Sequence, residues 1–189
     1  MASLINVHQY SGHIHLIMGP MFSGKTTELL RIYNRFIIAN KKCVLIKFKN
    51  DTRYDNKEKV VTHNKNQADA DFTCTHLGDI FKENELISAD VICIDEIQFF
   101  TDADIICDIW ANNGKIVIVS GLNGDYKREP FPVVSKLVSK SEKITFLTAV
   151  CKDTGNEGQF TKRKINNNDK MLIGGEETYE AVCRNTYFN

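Results

Sequence analysis

The amino-acid sequence predicts an α/β fold with a mostly parallel sheet, and three observations lead there. Four short apolar runs lack the in-and-out alternation of a half-solvated sheet: His15-Leu16-Ile17-Met18, Cys43-Val44-Leu45-Ile46, Val91-Ile92-Cys93-Ile94 and Ile116-Val117-Ile118-Val119. Segments of helical periodicity alternate with them, so the order is βα repeated. A glycine-containing string, Gly19 to Thr26, stands between the first run and the first helical segment.

A run that is apolar at consecutive positions fits a strand covered on both faces, as in a parallel sheet sandwiched by helices. After the first run, Leu29, Ile32, Tyr33, Phe36 and Ile37 recur at helical spacing and form one inward stripe. A second helix is expected over residues 102–113, ended by Gly114, with Ile105, Ile106, Ile109 and Trp110 inward. A third covers residues 133–139 behind Pro132, whose fixed φ suits a first helical turn. Residues 144–150 supply a fifth strand. Beyond Val150 the long apolar segments give way to Gly155, Gly158, the Asn166-Asn167-Asn168 run and Gly174-Gly175. The expected division is an α/β nucleotide-binding domain over residues 1–150 and a small loop-rich domain over residues 151–189.

With 189 residues, 42% of them hydrophobic, the chain can bury a proper core without a staple. Its 24 Lys+Arg balance 24 Asp+Glu, so no long-range field draws it to nucleic acid or anionic lipid, and the densest basic run is only Lys162-Arg163-Lys164. No apolar stretch approaches the roughly twenty residues needed to span a bilayer, and the segment from Met1 to Ser11 has no signal-peptide core. These features lead to an expectation of a cytoplasmic protein with neither nucleic-acid nor membrane partners. Six cysteines fit buried thiols in a reducing compartment, since three of them lie inside apolar strand or helix patterns.

Gly19-Pro20-Met21-Phe22-Ser23-Gly24-Lys25-Thr26 fits G-x-x-x-x-G-K-[ST] in the required context, after a strand and before a helix. Glycines let backbone N–H groups curl round phosphate oxygens. Lys25 reaches the β- and γ-phosphates of a nucleotide such as ATP, and the Thr26 hydroxyl ligates Mg2+. The fold class is thereby narrowed to a P-loop NTPase core. The third apolar run ends in Asp95-Glu96, where open α/β sheets bind ligands. Neighbours on a strand point opposite ways unless the chain turns there. Asp95 is therefore assigned to the metal and Glu96 to general base.

With both motifs placed, the chain resembles the type II thymidine kinases, the cytosolic and poxvirus-like class, from about Gly12 to Phe188. The matching stretches are GPMFSGKTTEL (19–29), DTRY (51–54), Thr62-His63, IDEIQFF (94–100), GLNGDYKREPF (121–131), LTAVC (147–151), TKR (161–163) and IGGEETYEAVCR (173–184). The resemblance implies ATP-dependent phosphorylation of thymidine at its 5′-hydroxyl, with Glu96 as base, Lys25 on the phosphates, and Asp95 and Thr26 organising magnesium. The Asp51-Thr52-Arg53 turn would bring Arg53 to the transferring phosphoryl group. Gln98 would serve the nucleotide side while sitting, with Phe99, by the nucleoside. Tyr126 would stack on the base where most of the family has Phe, and Phe131 would extend the apolar wall. A lasso formed here by Lys170, Met171, Leu172, Ile173 and Gly174 would read the pyrimidine edge through its main chain, with Tyr179 closing the site. Met21, Leu122 and Thr148 would surround the 5-methyl group. A homotetramer and feedback inhibition by dTTP are further implications.

One departure stands out. The family's structural zinc uses two C-x-x-C pairs, whereas here the pairs read Cys151-Lys152-Asp153-Thr154 and Cys183-Arg184-Asn185-Thr186. Only Cys151 and Cys183 remain of the four thiols, no histidine lies in this region, and a structural zinc is not expected. Ile97 and Asn123 replace the Gly and Asp that many members carry. Two rival readings follow from the phosphate loop alone. A small GTPase needs N-K-x-D, and Asn56-Lys57-Glu58-Lys59 and Asn64-Lys65-Asn66-Gln67 both lack the aspartate. A catalytically silent nucleotide-binding regulator is opposed by intact Lys25, Glu96 and Arg53.

Overall fold

A computed structural model describes residues 12–49, 59–61, 67–167, 169 and 172–189. The elements are β1 (His13–Gly19), α1 (Lys25–Ile38), β2 (Cys43–Phe48), β3 (Lys59–Val61), β4 (Gln67–Asp69), β5 (Phe72–Cys74), α2 (Asn84–Ser88), β6 (Val91–Ile94), α3 (Ala103–Asn112), β7 (Ile116–Leu122), α4 (Pro132–Val138) and β8 (Lys143–Phe146). After them come β9 (Ala149–Val150), β10 (Glu157–Gly158), β11 (Phe160–Arg163), β12 (Tyr179–Val182) and α5 (Arg184–Phe188). A six-stranded sheet runs in the order β5-β2-β6-β7-β1-β8, every pair parallel. The register sets His13 beside Ile116 and Val91 beside Ile116, so the four apolar runs lie side by side. Antiparallel β3 and β4 form a separate ladder.

Both faces of the sheet are buried, as the unbroken apolar runs require. Ile17, Leu45, Cys93 and Ile118 face α1, with Leu29 and Leu30 packed on them. Ile14, Leu16, Ile46, Ile92, Ile94 and Val119 point the other way, onto Phe100, Trp110 and Leu137. Helix α4 starts with Pro132 at its first turn, and Gly114 takes φ +84 after α3, as expected.

Three expectations are corrected. The inward stripe of α3 is Ala103, Cys107, Trp110 and Ala111, while Ile105 and Ile109 are exposed and Ile106 is half-buried against the core. The i, i+4, i+7, i+8 spacing of small and aromatic residues, rather than the isoleucines, sets the face. Ile37, assigned to the inward stripe of α1, is likewise exposed. The strand expected over residues 144–150 divides: β8 joins the sheet beside β1, and β9 turns away to pair with β10. The sheet edge beyond β2 is β5, whose three residues carry no apolar run to reveal them.

Beyond β8 the chain leaves the main sheet. It forms two short antiparallel ladders, β9–β10 and β11–β12, with α5 against them. Their apolar cluster is small: Cys151, Val182 and Cys183, with Phe160 and Tyr187 packed against them.

Candidate active site

The strand end of β1 and the start of α1 shape the phosphate loop. Gly24 caps α1 with φ +82 and has open space where a Cβ would stand; Phe22 also takes a positive φ, +65. Such left-handed positions favour glycine and turn successive N–H groups inward. Ser23 Oγ and Lys25 Nζ both donate to the Pro20 carbonyl, at 2.9 and 2.7 Å, which braces the loop from within. Lys25 is buried.

At the end of β6 the backbone turns sharply: Glu96 takes φ +55, ψ +46. The turn breaks the strand alternation and aims the two carboxylates at different neighbours. Asp95 faces the phosphate loop, where Thr26 Oγ1 donates to its Oδ2 at 3.0 Å and Ser120 Oγ donates to its Oδ1. The Glu96 N–H donates to the same Oδ1 at 3.1 Å. Glu96 enters the wall of a cleft, where Gln98 Nε2 donates to its Oε2. The Leu122 N–H donates to Gln98 Oε1 at 3.1 Å. That bond fixes the amide so that its NH2 group meets the carboxylate. Close approach of β7 makes this possible: a Cβ on Gly121 would lie 2.6 Å from Ile97 Cγ2 and 2.8 Å from Gln98 Oε1.

The cleft is open to solvent on one side and is lined by Met21, Glu96, Gln98, Phe99, Leu122, Tyr126, Phe131, Leu172, Ile173, Gly174 and Tyr179, all singled out in the sequence, together with Gly124, Asp125 and Thr161. Phe99 is held by stacking on Phe48, with centroids 5.0 Å apart. Thr148 does not line the cleft. It lies in the connection between β8 and β9, and the threonine that does is Thr161, whose Oγ1 accepts the Met21 N–H at 3.0 Å. Gln98, grouped with the nucleotide-binding residues, stands on the cleft side of Glu96. Asp51, Thr52, Arg53, Lys170 and Met171 lie outside the described residues.

Several further residues of the site lie within or beside the matching strings. Asp125 is buried, and its Oδ1 accepts the Lys127 and Glu129 N–H groups at 2.8 and 2.9 Å, shaping the turn that presents Tyr126. Thr161 and Arg163 occupy the TKR string. Ser120 sits one residue before the GLNGDYKREPF string and had no motif to mark it. Asp in a turn beside Gly124 was an available signal for the first of these.

The positions expected to hold zinc do meet. Cys151 Sγ donates to Thr186 Oγ1 at 3.5 Å, Thr154 Oγ1 lies 3.7 Å from Cys183 Sγ, and Cys183 Sγ lies 3.5 Å from Thr186 Oγ1. Hydrogen bonds, first with Thr154 and then with Thr186, hold the Cys151 thiol low, at about 6. Two thiols and two neutral hydroxyls do not fit a structural zinc, which takes a closed set of four strong ligands. Among the described residues, no group of three or more His, Cys, Asp or Glu side chains is arranged to hold a metal. Thr26 and Asp95 do fit magnesium, a hard ion that keeps several waters and takes few protein oxygens beside substrate phosphates. Among the described residues no helix is long and apolar enough to cross a membrane.

The sequence model of the family described as thymidine kinase matches residues 12–187. Thymidine kinase 1 of Dictyostelium discoideum is 50% identical over 184 residues, covering 96% of this chain and 80% of that one. Thymidine kinase of Raccoon poxvirus is 46% identical over 178 residues, covering 94% of this chain and 98% of that one. Among solved structures, the flagellar accessory protein FlaH of Methanocaldococcus jannaschii aligns with a TM-score of 0.47 at 14% identity, covering 72% of this chain and 71% of that one.

Proposed function

The chain belongs to the thymidine kinase family, and on that premise we propose that it transfers the γ-phosphoryl group of ATP to the 5′-hydroxyl of thymidine, giving thymidine 5′-monophosphate and ADP. One observation carries the reading: Glu96 stands in the wall of a cleft, while the adjacent Asp95 is bonded to Thr26 of the phosphate loop. A hydroxyl in the cleft and a phosphate in the loop are thus brought to neighbouring carboxylates.

In this reading, the Glu96 carboxylate takes the proton of the 5′-hydroxyl as that oxygen attacks the γ-phosphorus and the bond to the β-phosphate oxygen breaks. The Gln98 amide holds the carboxylate toward the cleft. Lys25 and the loop N–H groups bind the β- and γ-phosphates, and Lys25 exchanges its bond to the Pro20 carbonyl for phosphate oxygens. Magnesium, when bound, neutralises charge on those oxygens, with Thr26 and Asp95 as the residues that hold it. Arg53, on its Asp51-Thr52-Arg53 turn, is assigned to the transferring phosphoryl group on the family resemblance. Tyr126 stacks on the base, and Met21 and Leu122 with Thr161, in place of Thr148, surround the 5-methyl group. The main chain of residues 170–174 reads the pyrimidine edge, and Tyr179 closes it. A homotetramer, feedback binding of dTTP and a cytoplasmic location complete the proposal on the same resemblance, and the division into residues 1–150 and 151–189 rests on the change of composition after Val150.

Glu96→Gln keeps shape and removes the base, so kcat falls roughly a hundredfold or more while calorimetry still finds thymidine binding. Ordinary turnover at saturation with lost thymidine affinity would move Glu96 to substrate binding. ADP release that needs thymidine, and is weak with deoxycytidine, supports the substrate. Equal release with neither nucleoside overturns it.

A further inference from the structure

The TKR string ends in Arg163, the last residue of β11, and its guanidinium contacts several pieces of chain around the cleft. Nη1 donates to the carbonyls of Asn167 and Asp169 at 2.8 and 2.6 Å. Nη2 donates to the Tyr179 hydroxyl at 2.8 Å, and that hydroxyl donates to the Leu172 carbonyl at 2.7 Å. The guanidinium carbon lies 3.7 Å from the centroid of the Tyr126 ring, a stacking distance, and 5.3 Å from that of Tyr179. Arg163 itself does not line the cleft, whereas Tyr126, Leu172 and Tyr179 do.

These contacts tie separate pieces of chain to one rigid planar group. The segment after β11 is held near its start through Asn167 and Asp169, and further on, through Tyr179, at Leu172. The ring of Tyr126 comes from a different part of the fold, the turn after β7. Guanidinium is suited to this because it is planar, permanently charged and forked, so it can stack and donate in its own plane at once. Its Nε is buried without a partner among the described residues, which shows that the stack and the Nη bonds set the orientation. The Tyr126 turn has a second brace of a different kind: the Tyr187 hydroxyl donates to the Tyr126 carbonyl at 2.7 Å. That bond holds the backbone of the turn through α5.

We propose that Arg163 is a positioning residue for the nucleoside: it locks the stacking ring of Tyr126 to the segment that covers the cleft, so that both faces of the base site are set by one side chain. The inference rests on the nucleoside reading of the cleft. It requires the effect of Arg163 on thymidine binding to run through Tyr126 and through the contacts at Asn167, Asp169, Leu172 and Tyr179, and to spare the phosphate loop.

The test compares Arg163→Met, Arg163→Lys, Tyr126→Leu and the Arg163→Met/Tyr126→Leu pair with the unaltered full chain. Arg163→Met is expected to raise the thymidine KM roughly tenfold or more, since charge-assisted bonds and a stack are lost together, with ATP KM and kcat changed less than about threefold. Lys keeps the charge without the fork and recovers only part of the loss. The double variant falls short of the product of the single effects, because each single change already frees the ring from the guanidinium. Amide exchange at Asn167, Asp169 and residues 172–178 quickens in Arg163→Met while the sheet is unchanged. Unaltered thymidine KM in Arg163→Met overturns the proposal. So do multiplicative effects in the pair, or equal losses in thymidine KM, ATP KM and kcat, which would mark a merely structural role. An unaltered chain that neither binds nor phosphorylates thymidine sinks the nucleoside reading instead, and this inference with it.

Discussion

The parallel sheet and the two ladders that follow it are held by different forces. The sheet is sealed on both faces by aliphatic and aromatic side chains, among them Ile17, Leu29 and Leu45 on one face and Ile14, Ile92 and Phe100 on the other, all fully buried. The stretch from 151 to 189 has a small apolar cluster and leans on polar side chains. Arg163 holds carbonyls, Lys162 Nζ donates to the Thr186 carbonyl at 2.7 Å, and Lys164 Nζ donates to the Glu176 carbonyl at 2.9 Å. Arg128 stacks against Tyr187 and Phe188, with centroids 4.5 and 4.6 Å from its guanidinium carbon. Burial of apolar area is non-directional and tolerant of small shifts, whereas charged forks on carbonyls work only at one geometry. An apolar frame carries the phosphate loop, and a polar, geometry-dependent stretch supplies Leu172, Ile173, Gly174 and Tyr179 to the wall of the cleft.

The largest effect expected from this contrast is on the frame. Phe100 is fully buried, with its ring edge-on to Phe48 at 5.3 Å. Phe100→Ala should cost about 3–5 kcal/mol of global stability in denaturant titrations. The corresponding truncation on the other side, Phe160→Ala, should cost clearly less, because that ring is only half-buried beside a small cluster. Equal losses from both would show that the two regions share one kind of core.

Restoring thiols sharpens the comparison from the other end. Cys151, Thr154, Cys183 and Thr186 already lie within hydrogen-bonding reach of one another. Thr154→Cys with Thr186→Cys should therefore bind one zinc per chain by elemental analysis, and a chelator should then lower the melting temperature. Unmodified protein should hold well under one zinc and ignore the chelator. Stoichiometric zinc in the unmodified chain would mean that ligands other than these thiols close the site.

The smallest effect is on pH dependence, and it belongs to the sheet. His15 lies on β1, buried, with its Nε2 at 2.8 Å from Thr145 Oγ1. Burial first, then the charge of Lys143, depresses its pKa from 6.5 to about 4, against an opposing pull from Glu28 and with a further small depression from His13. The unfolded chain takes up a proton that the folded chain refuses between these values, so stability present above pH 6.5 is lost as pH falls toward about 4. His15→Gln should flatten the melting temperature over that window and leave it unchanged in slope above pH 7. A slope unaltered by the substitution would assign the acid sensitivity to other groups.

The sequence by itself determined the frame and the chemistry at its edge. Consecutive apolar residues at 43–46, 91–94 and 116–119 can be satisfied only by cover on both sides, and a phosphate loop must follow a strand and open a helix. Lys25, Thr26, Asp95 and Glu96 were therefore legible, as were Tyr126 and Tyr179 through the family's blocks. Only the tertiary structure decided which neighbours complete the site. Whether Ile105 or Trp110 faces inward depends on what α3 packs against, since helical spacing alone allows both stripes. Nothing local distinguishes Thr148 from Thr161. Thr161 reaches the cleft because β11 runs past the phosphate loop and its hydroxyl meets the Met21 amide, 140 residues away in sequence. Arg163 was one cation in a three-residue basic run until the fold brought Tyr126 beneath it. Periodicity records what a segment buries. It carries no information on which distant carbonyl or ring will lie within a hydrogen bond or a stacking distance, because that is fixed by how the segments pack.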